Sequence, residues 1–200
     1  LAGGSVYGLD AAPGVTAAMG AEGLGLLTGA PKPSPIVPAA ILFDVANGGD
    51  KDWGNTPPYG QLGRDAYGAL SQDFALGNVG AGYGAQAGQL KGGLGSASVA
   101  LGGAAKAGAL MAVNPIGSVI DEAGRFWAQG HALAMDGAPE FGLPSLIGQA
   151  ANASAHPMAD RKLAAALTNT TIGVVAVAAD LTVAEARRVA IMAHDGLARA

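Results

Sequence analysis

The stretch NTTIGVVAVAADLTVAEARRVAIMAHDGL, residues 169–197, carries two different hydrophobic periods back to back. From Thr171 to Ala179 almost every residue is β-branched or apolar, which predicts a strand buried on both faces and central in its sheet. At Leu181 the pattern changes. Thr182 and Glu185 have the spacing of a capping box, and Ala186, Val189, Ala190, Ala193 and Leu197 then share one helical stripe, with Arg187, Arg188 and Arg199 outside it. A strand running straight into an amphipathic helix makes the fold class α/β or α+β.

Upstream, Ala107 to Val113 is a second apolar strand that stops at Asn114-Pro115, a dipeptide favouring a turn, and Ile116 to Ile120 resumes the apolar pattern. Ser96 to Leu101 alternates as a strand does, inside the densest glycine stretch, Gly77 to Gly103, where backbone must pass close to something. Ala66, Ala69, Leu70 and Phe74 predict a helix over Arg64 to Leu76, after a loop from Asn47 to Gly63. Ile36 to Val45 reads as a short buried strand or the edge of an element. Ser5 is placed to cap a helix carrying Val6, Leu9, Val15 and Met19, with Pro13 working against it. Asp136 to His156 reads as an exposed connection, closed by a short helix from Met158 to Leu167.

Two hundred residues, half of them hydrophobic and 13% charged, suit one compact domain. Eleven basic against fifteen acidic side chains argue against nucleic acid as a partner. The lack of cysteine excludes disulfides, thiolate catalysis and sulfur-ligated zinc, and fits a cytoplasmic location. Leu163 to Ala179, the longest kind of uncharged run, is broken by Thr168, Asn169, Thr170 and Thr171, so no membrane span is expected, and no signal peptide is read at Leu1. His131, His156 and His194 lack ligand spacing, so no metal is expected. Gly80, Gly82 and Ala85 match a dinucleotide fingerprint, but no acidic residue occurs between Asp73 and Asp121 to hold a ribose, so no cofactor is expected.

Asn169-Thr170-Thr171 allows a different chemistry. A threonine hydroxyl fixed at a strand start can attack the carbonyl before it, shift the chain from N to O, and be released by water. Thr170 would then begin a new chain, its α-amine, of ordinary pKa about 8, activating its own hydroxyl. The plainer reading is a strand start and nothing more.

LAGGSVYGLDAA (1–12), PIVPAAILFD (35–44), GNVGAGYGAQAGQLKGGLGSAS (77–98), AVNPIGSVID (112–121), NTTIGVVAV (169–177) and AHDGLARA (193–200) together resemble the self-cleaving L-aminopeptidase/D-esterase (DmpA-like) peptidases, a family that includes β-aminopeptidases and nylon-oligomer hydrolases. The resemblance implies an αββα sandwich of the DmpA/ornithine acetyltransferase-like type. It implies cutting at Asn169/Thr170 into a 1–169 portion and a 170–200 portion that stay together, the whole being the central part of a longer protein. Thr170 would be the nucleophile for self-cleavage and for amide hydrolysis through an acyl-enzyme. Asn114 would donate to the oxyanion, beside its local reading as an Asn-Pro turn, and Lys91 would lower the amine's pKa. Tyr7, Phe43 and Asp44 fall on the substrate side, Phe43 standing where some relatives carry a tyrosine and Tyr7 reading equally as a core residue. The implied substrates are short peptides, β- or D-amino amides, or nylon oligomers; acyl transfer to an amine stays open. The implied assembly is a tetramer of processed pairs. The contrasting class is a non-catalytic, glycine-rich module that assembles or binds a metabolite.

Overall fold

The computed structural model describes residues 1–88, 90–117, 119–120, 125–128 and 168–198. The expected connection at 136–156 and helix at 158–167 lie outside them, as do His131 and His156.

Gly102 and Gly103 both take positive φ, 102° and 57°, which turns the chain back on itself between β3 (Gly93–Gly102) and β4 (Ala105–Asn114). β5 (Thr170–Val177) adds antiparallel to the other side of β4, in a register running from Ala107↔Val177 to Asn114↔Thr170. The sheet order is β3-β4-β5, so among the described residues β4 is central and β5 lies at an edge. That corrects the expectation of a central β5 buried on both faces: Gly173 to Ala176 are exposed. The β-branched run fixes strand conformation, whereas its place in the sheet depends on which partner it finds. β1 (Gln86–Ala87) and β2 (Leu90–Lys91) form a separate short antiparallel pair.

A 3-10 turn, Ser5–Asp10, runs directly into α1 (Ala11–Ala21), which keeps Pro13 in its first turn, where the missing N–H is harmless. Ser5 is not the cap. It is 3% exposed with φ 55°, and its hydroxyl accepts the N–H groups of Asp44 and Val45, both at 3.1 Å. α2 spans Tyr59–Gly68 rather than the expected 64–76, and Leu70 and Phe74 are exposed beyond its end. Glycines that read as loop are here the contact surface. A Cβ on Gly14 would strike the carbonyl oxygen of Gly60, and one on Gly63 would strike that of Ala11, so the two helices cross backbone to backbone.

α3 (Val183–Leu197) begins at the expected box: Thr182 Oγ1 accepts the Glu185 N–H at 3.3 Å, and the Glu185 carboxylate accepts the Thr182 N–H at 2.8 Å. Of its expected stripe, Val189 and Ala193 are half-buried and Ala186, Ala190 and Leu197 are exposed. None of the described helices is long and apolar enough to cross a membrane. Helices combined with an antiparallel sheet make the fold α+β. Its buried core is Leu42, Ala85 and Ala112, flanked by Ala81, Leu94 and Ile172.

Candidate active site

Side chains on a strand alternate between faces, so Asn114 lies on the same face as Ala112, and Thr170 on the same face as Ile172. The pairs Ala112↔Ile172 and Asn114↔Thr170 stand two apart in the ladder, with Val113↔Thr171 between them on the other face. The face that buries the core therefore ends in two polar side chains opposite one another, an asparagine and a threonine.

The third member comes from the segment around residue 41, which is extended but joins no sheet beyond one parallel bridge, Ala2↔Ile41; it is an element edge. In extended chain the N–H and C=O of one residue point to the same side and those of the next point away. Leu42 uses its pair outward, donating to Ala2 O and accepting from Ser5 N, both at 2.9 Å. Phe43 uses its pair inward. Its N–H donates to Thr170 Oγ1 at 3.1 Å, and its carbonyl accepts from Asn114 Nδ2 at 2.9 Å.

Asn114 is fully buried. Its Oδ1 accepts the Gln86 N–H at 2.9 Å, and its Nδ2 donates to Thr168 O at 3.1 Å as well as to Phe43 O. An amide NH₂ has two hydrogens, and these two carbonyls take both. Among the described residues the buried Oδ1 of Asn169 has no hydrogen-bond partner. The N–H of Phe43 aimed at Thr170 Oγ1 stabilises negative charge there and leaves the hydroxyl hydrogen free to be removed.

Asp44 follows, its carboxylate abutting Gly3 and Gly84. Its Oδ1 accepts the Gly4 N–H at 2.5 Å, and a Cβ on either Gly3 or Gly84 would lie 2.5 Å from its Oδ2. Tyr59 faces the same carboxylate; burial, and then the charge of Asp44, raise its pKa above the ordinary 10.0. Tyr7 is half-exposed and packs edge-on to Trp53 with ring centroids 5.7 Å apart, Trp53 repeating that geometry with Tyr59 at 5.9 Å. A cleft of about 570 Å³ opens beside Tyr7, Leu9, Pro13 and Pro57. No residue bonded to Thr170 lines it.

The structure thus brings Thr170, Asn114 and the backbone of Phe43 together, with Asp44 one residue on. Lys91 is exposed on β2, paired with Gln86, and Tyr7 stands in the aromatic row; no described hydrogen bond joins either to Thr170. Among the described residues no three His, Asp or Glu side chains cluster as metal ligands. The glycine fingerprint wraps the chain's own backbone: a Cβ on Gly82 would lie 2.6 Å from Leu94 N. Sequence reasoning missed the contributions of Gln86, Phe43 and Thr168, because each acts through a peptide group that its residue type does not announce.

The family model for peptidase family S58 matches residues 1–200. An uncharacterized aminopeptidase of Mycobacterium tuberculosis (strain ATCC 25618 / H37Rv) is 41% identical over 201 residues, covering 100% of this chain and 55% of that protein. One from Mycobacterium leprae (strain TN) is 41% identical over 207 residues, covering 100% of this chain and 53% of the relative. The chain therefore spans about half the length of the curated relatives it matches.

Proposed function

This chain belongs to peptidase family S58, and on that premise we propose that it is a self-processing amidohydrolase whose nucleophile is Thr170. The observation that carries the reading is the Phe43 N–H donated to Thr170 Oγ1, with Asn114 held opposite in the ladder. In processing, Oγ1 attacks the Asn169 carbonyl carbon, the C–N bond breaks, and the hydroxyl proton ends on the nitrogen. Water then cleaves the ester, leaving an Asn169 carboxylate and a Thr170 with a free α-amine. That amine, of ordinary pKa about 8, takes the hydroxyl proton in each later turnover. The substrate's acyl group passes to Oγ1, the leaving amine departs protonated, and water releases the acid.

The oxyanion of each turnover is assigned to Asn114, a role of roughly 3–4 kcal/mol when a donor is preorganised. Lys91 is assigned to lowering the amine's pKa, supported by its place one hairpin from Gln86, which itself binds Asn114. Asp44 is assigned to a free amino group on the substrate, with Tyr7 and the Phe43 side chain beside it, which selects short peptides and β- or D-amino amides. The sheet β3-β4-β5 is assigned to one layer of an αββα sandwich. Exposed Val174, Val175, Ile191 and Met192 support assembly with further copies.

The test is the denatured mass of the longest natural form and of its Thr170→Ala variant, with native mass read on the same samples. Two fragments divided at Asn169/Thr170 and amide hydrolysis are expected in the parent alone, and Thr170→Ser keeps both. One unsplit mass in parent and variant alike sinks the reading and favours the binding module.

A further inference from the structure

Ser5 bonds to neither Thr170 nor Asn114, yet it is buried, 3% exposed, and holds φ at 55°, the one positive φ outside glycine among the described residues. A glycine takes that conformation without strain, so what a serine adds at this place is its hydroxyl. The groups it grips lie directly behind the candidate site.

A trans peptide unit is planar, and its C=O and N–H point opposite ways, so holding one end fixes the aim of the other. Two such units meet at Phe43. The unit between Leu42 and Phe43 presents its N–H to Thr170 Oγ1, and its far end, Leu42 O, accepts the Ser5 N–H at 2.9 Å. The unit between Phe43 and Asp44 presents its carbonyl to Asn114 Nδ2, and its far end, the Asp44 N–H, donates to Ser5 Oγ at 3.1 Å. One residue thus holds both planes from behind, which fixes φ and ψ of Phe43 between them. The Val45 N–H, also donated to Ser5 Oγ at 3.1 Å, seats that hydroxyl. Hydrogen bonds in series polarise one another, so donation into Leu42 O makes the Phe43 N–H a stronger donor, and acceptance from Asp44 makes Phe43 O a stronger acceptor.

We propose that Ser5 is a positioning residue for the Thr170 site, aiming the Phe43 N–H at the nucleophile and the Phe43 carbonyl at Asn114. The inference rests on the self-processing reading above. The Asp44 carboxylate is held by the Gly4 N–H instead, so Ser5 acts on the nucleophile's side of the site.

The experiment follows cutting at Asn169/Thr170 by mass after a pulse of cell-free synthesis, in the longest natural form and its Ser5→Gly and Ser5→Thr variants. Ser5→Gly keeps the backbone conformation and loses the hydroxyl; its first-order rate constant is expected to fall about tenfold, the scale of a small misplacement of a reacting group. Ser5→Thr keeps the hydroxyl but puts a β-branched residue at positive φ, so its melting temperature should fall while its rate constant stays within about twofold of the parent. A merely structural role gives a different signature, because misfolded chain leaves an uncut plateau and does not slow the fraction that cuts. Ser5→Gly cutting at the parent rate overturns the proposal, and so does Ser5→Thr cutting as slowly as Ser5→Gly. A parent that stays uncut removes the self-processing reading itself.

Discussion

Asn114 joins three chain segments that are distant in sequence: Gln86 through its oxygen, Phe43 and Thr168 through its nitrogen. Replacing it with alanine strands three backbone groups near a closed core. Each such loss costs about 1–3 kcal/mol, and because the groups share one site the sum falls short of three full penalties. Asn114→Ala is therefore expected to lower stability by roughly 2–5 kcal/mol, read as a fall in the urea midpoint. An unchanged midpoint would mean that those three groups find other partners. At this scale the sequence was informative about side chains that act for themselves. Thr170 and Asn114 are singled out by the resemblance, and the strand register sets them opposite one another. Phe43 was weighed for the hydroxyl it lacks, yet what it contributes is a peptide N–H and C=O, which any residue there supplies.

The crossing of α1 and α2 rests on glycine in both partners. In an exposed helix Gly→Ala stabilises by about 1 kcal/mol. Gly63→Ala is expected to act in the opposite direction, because the new Cβ would strike the backbone carbonyl of Ala11, which cannot swing aside. A lowered melting temperature checks it, and a raised one would show that the helices separate without loss. This contact also explains why the start of α2 was illegible. Glycine, read as a breaker, had been selected by proximity. The start of α3 was legible for the converse reason, since its box is closed within three residues and needs nothing from elsewhere. Hydrogen bonds from Thr182 hold the Glu185 carboxyl below its ordinary pKa of 4.5. A group depressed in this way adds stability above its ordinary titration range and loses it as pH falls through the lowered value. Helical ellipticity should accordingly decline in the parent as pH falls below the ordinary carboxylate range, and a Glu185→Gln variant should lack that step. A Tyr67 hydroxyl donated to Glu22 at 2.7 Å ties the end of α1 to α2 and raises the tyrosine's pKa, so alkali has to rise past the ordinary tyrosine range before it removes that proton.

Across the whole molecule, the apolar pattern foresaw which residues avoid water better than it foresaw what covers them. Thr171 to Ala179 reads as fully enclosed, yet Val174 is 51% exposed among the described residues. Periodicity reports a demand for burial and is silent on which element meets it. The order β3-β4-β5 and the pairing of Asn114 with Thr170 depend on register across long sequence separations, which no local pattern carries. One further consequence follows from Leu42 and Phe43 facing opposite ways. The chain between Ala2 and Thr170 counts in odd and even, and only parity decides whether residue 43 serves the nucleophile or the N-terminal segment. Phe43→Tyr or Phe43→Leu leaves that count untouched, so processing should survive both. Deleting Ile41, between the Ala2-bonded Ala40 and Phe43, turns the Phe43 peptide group to the N-terminal side, and cutting at Asn169/Thr170 should vanish. Putting one alanine back into the gap restores the count, and cutting should return.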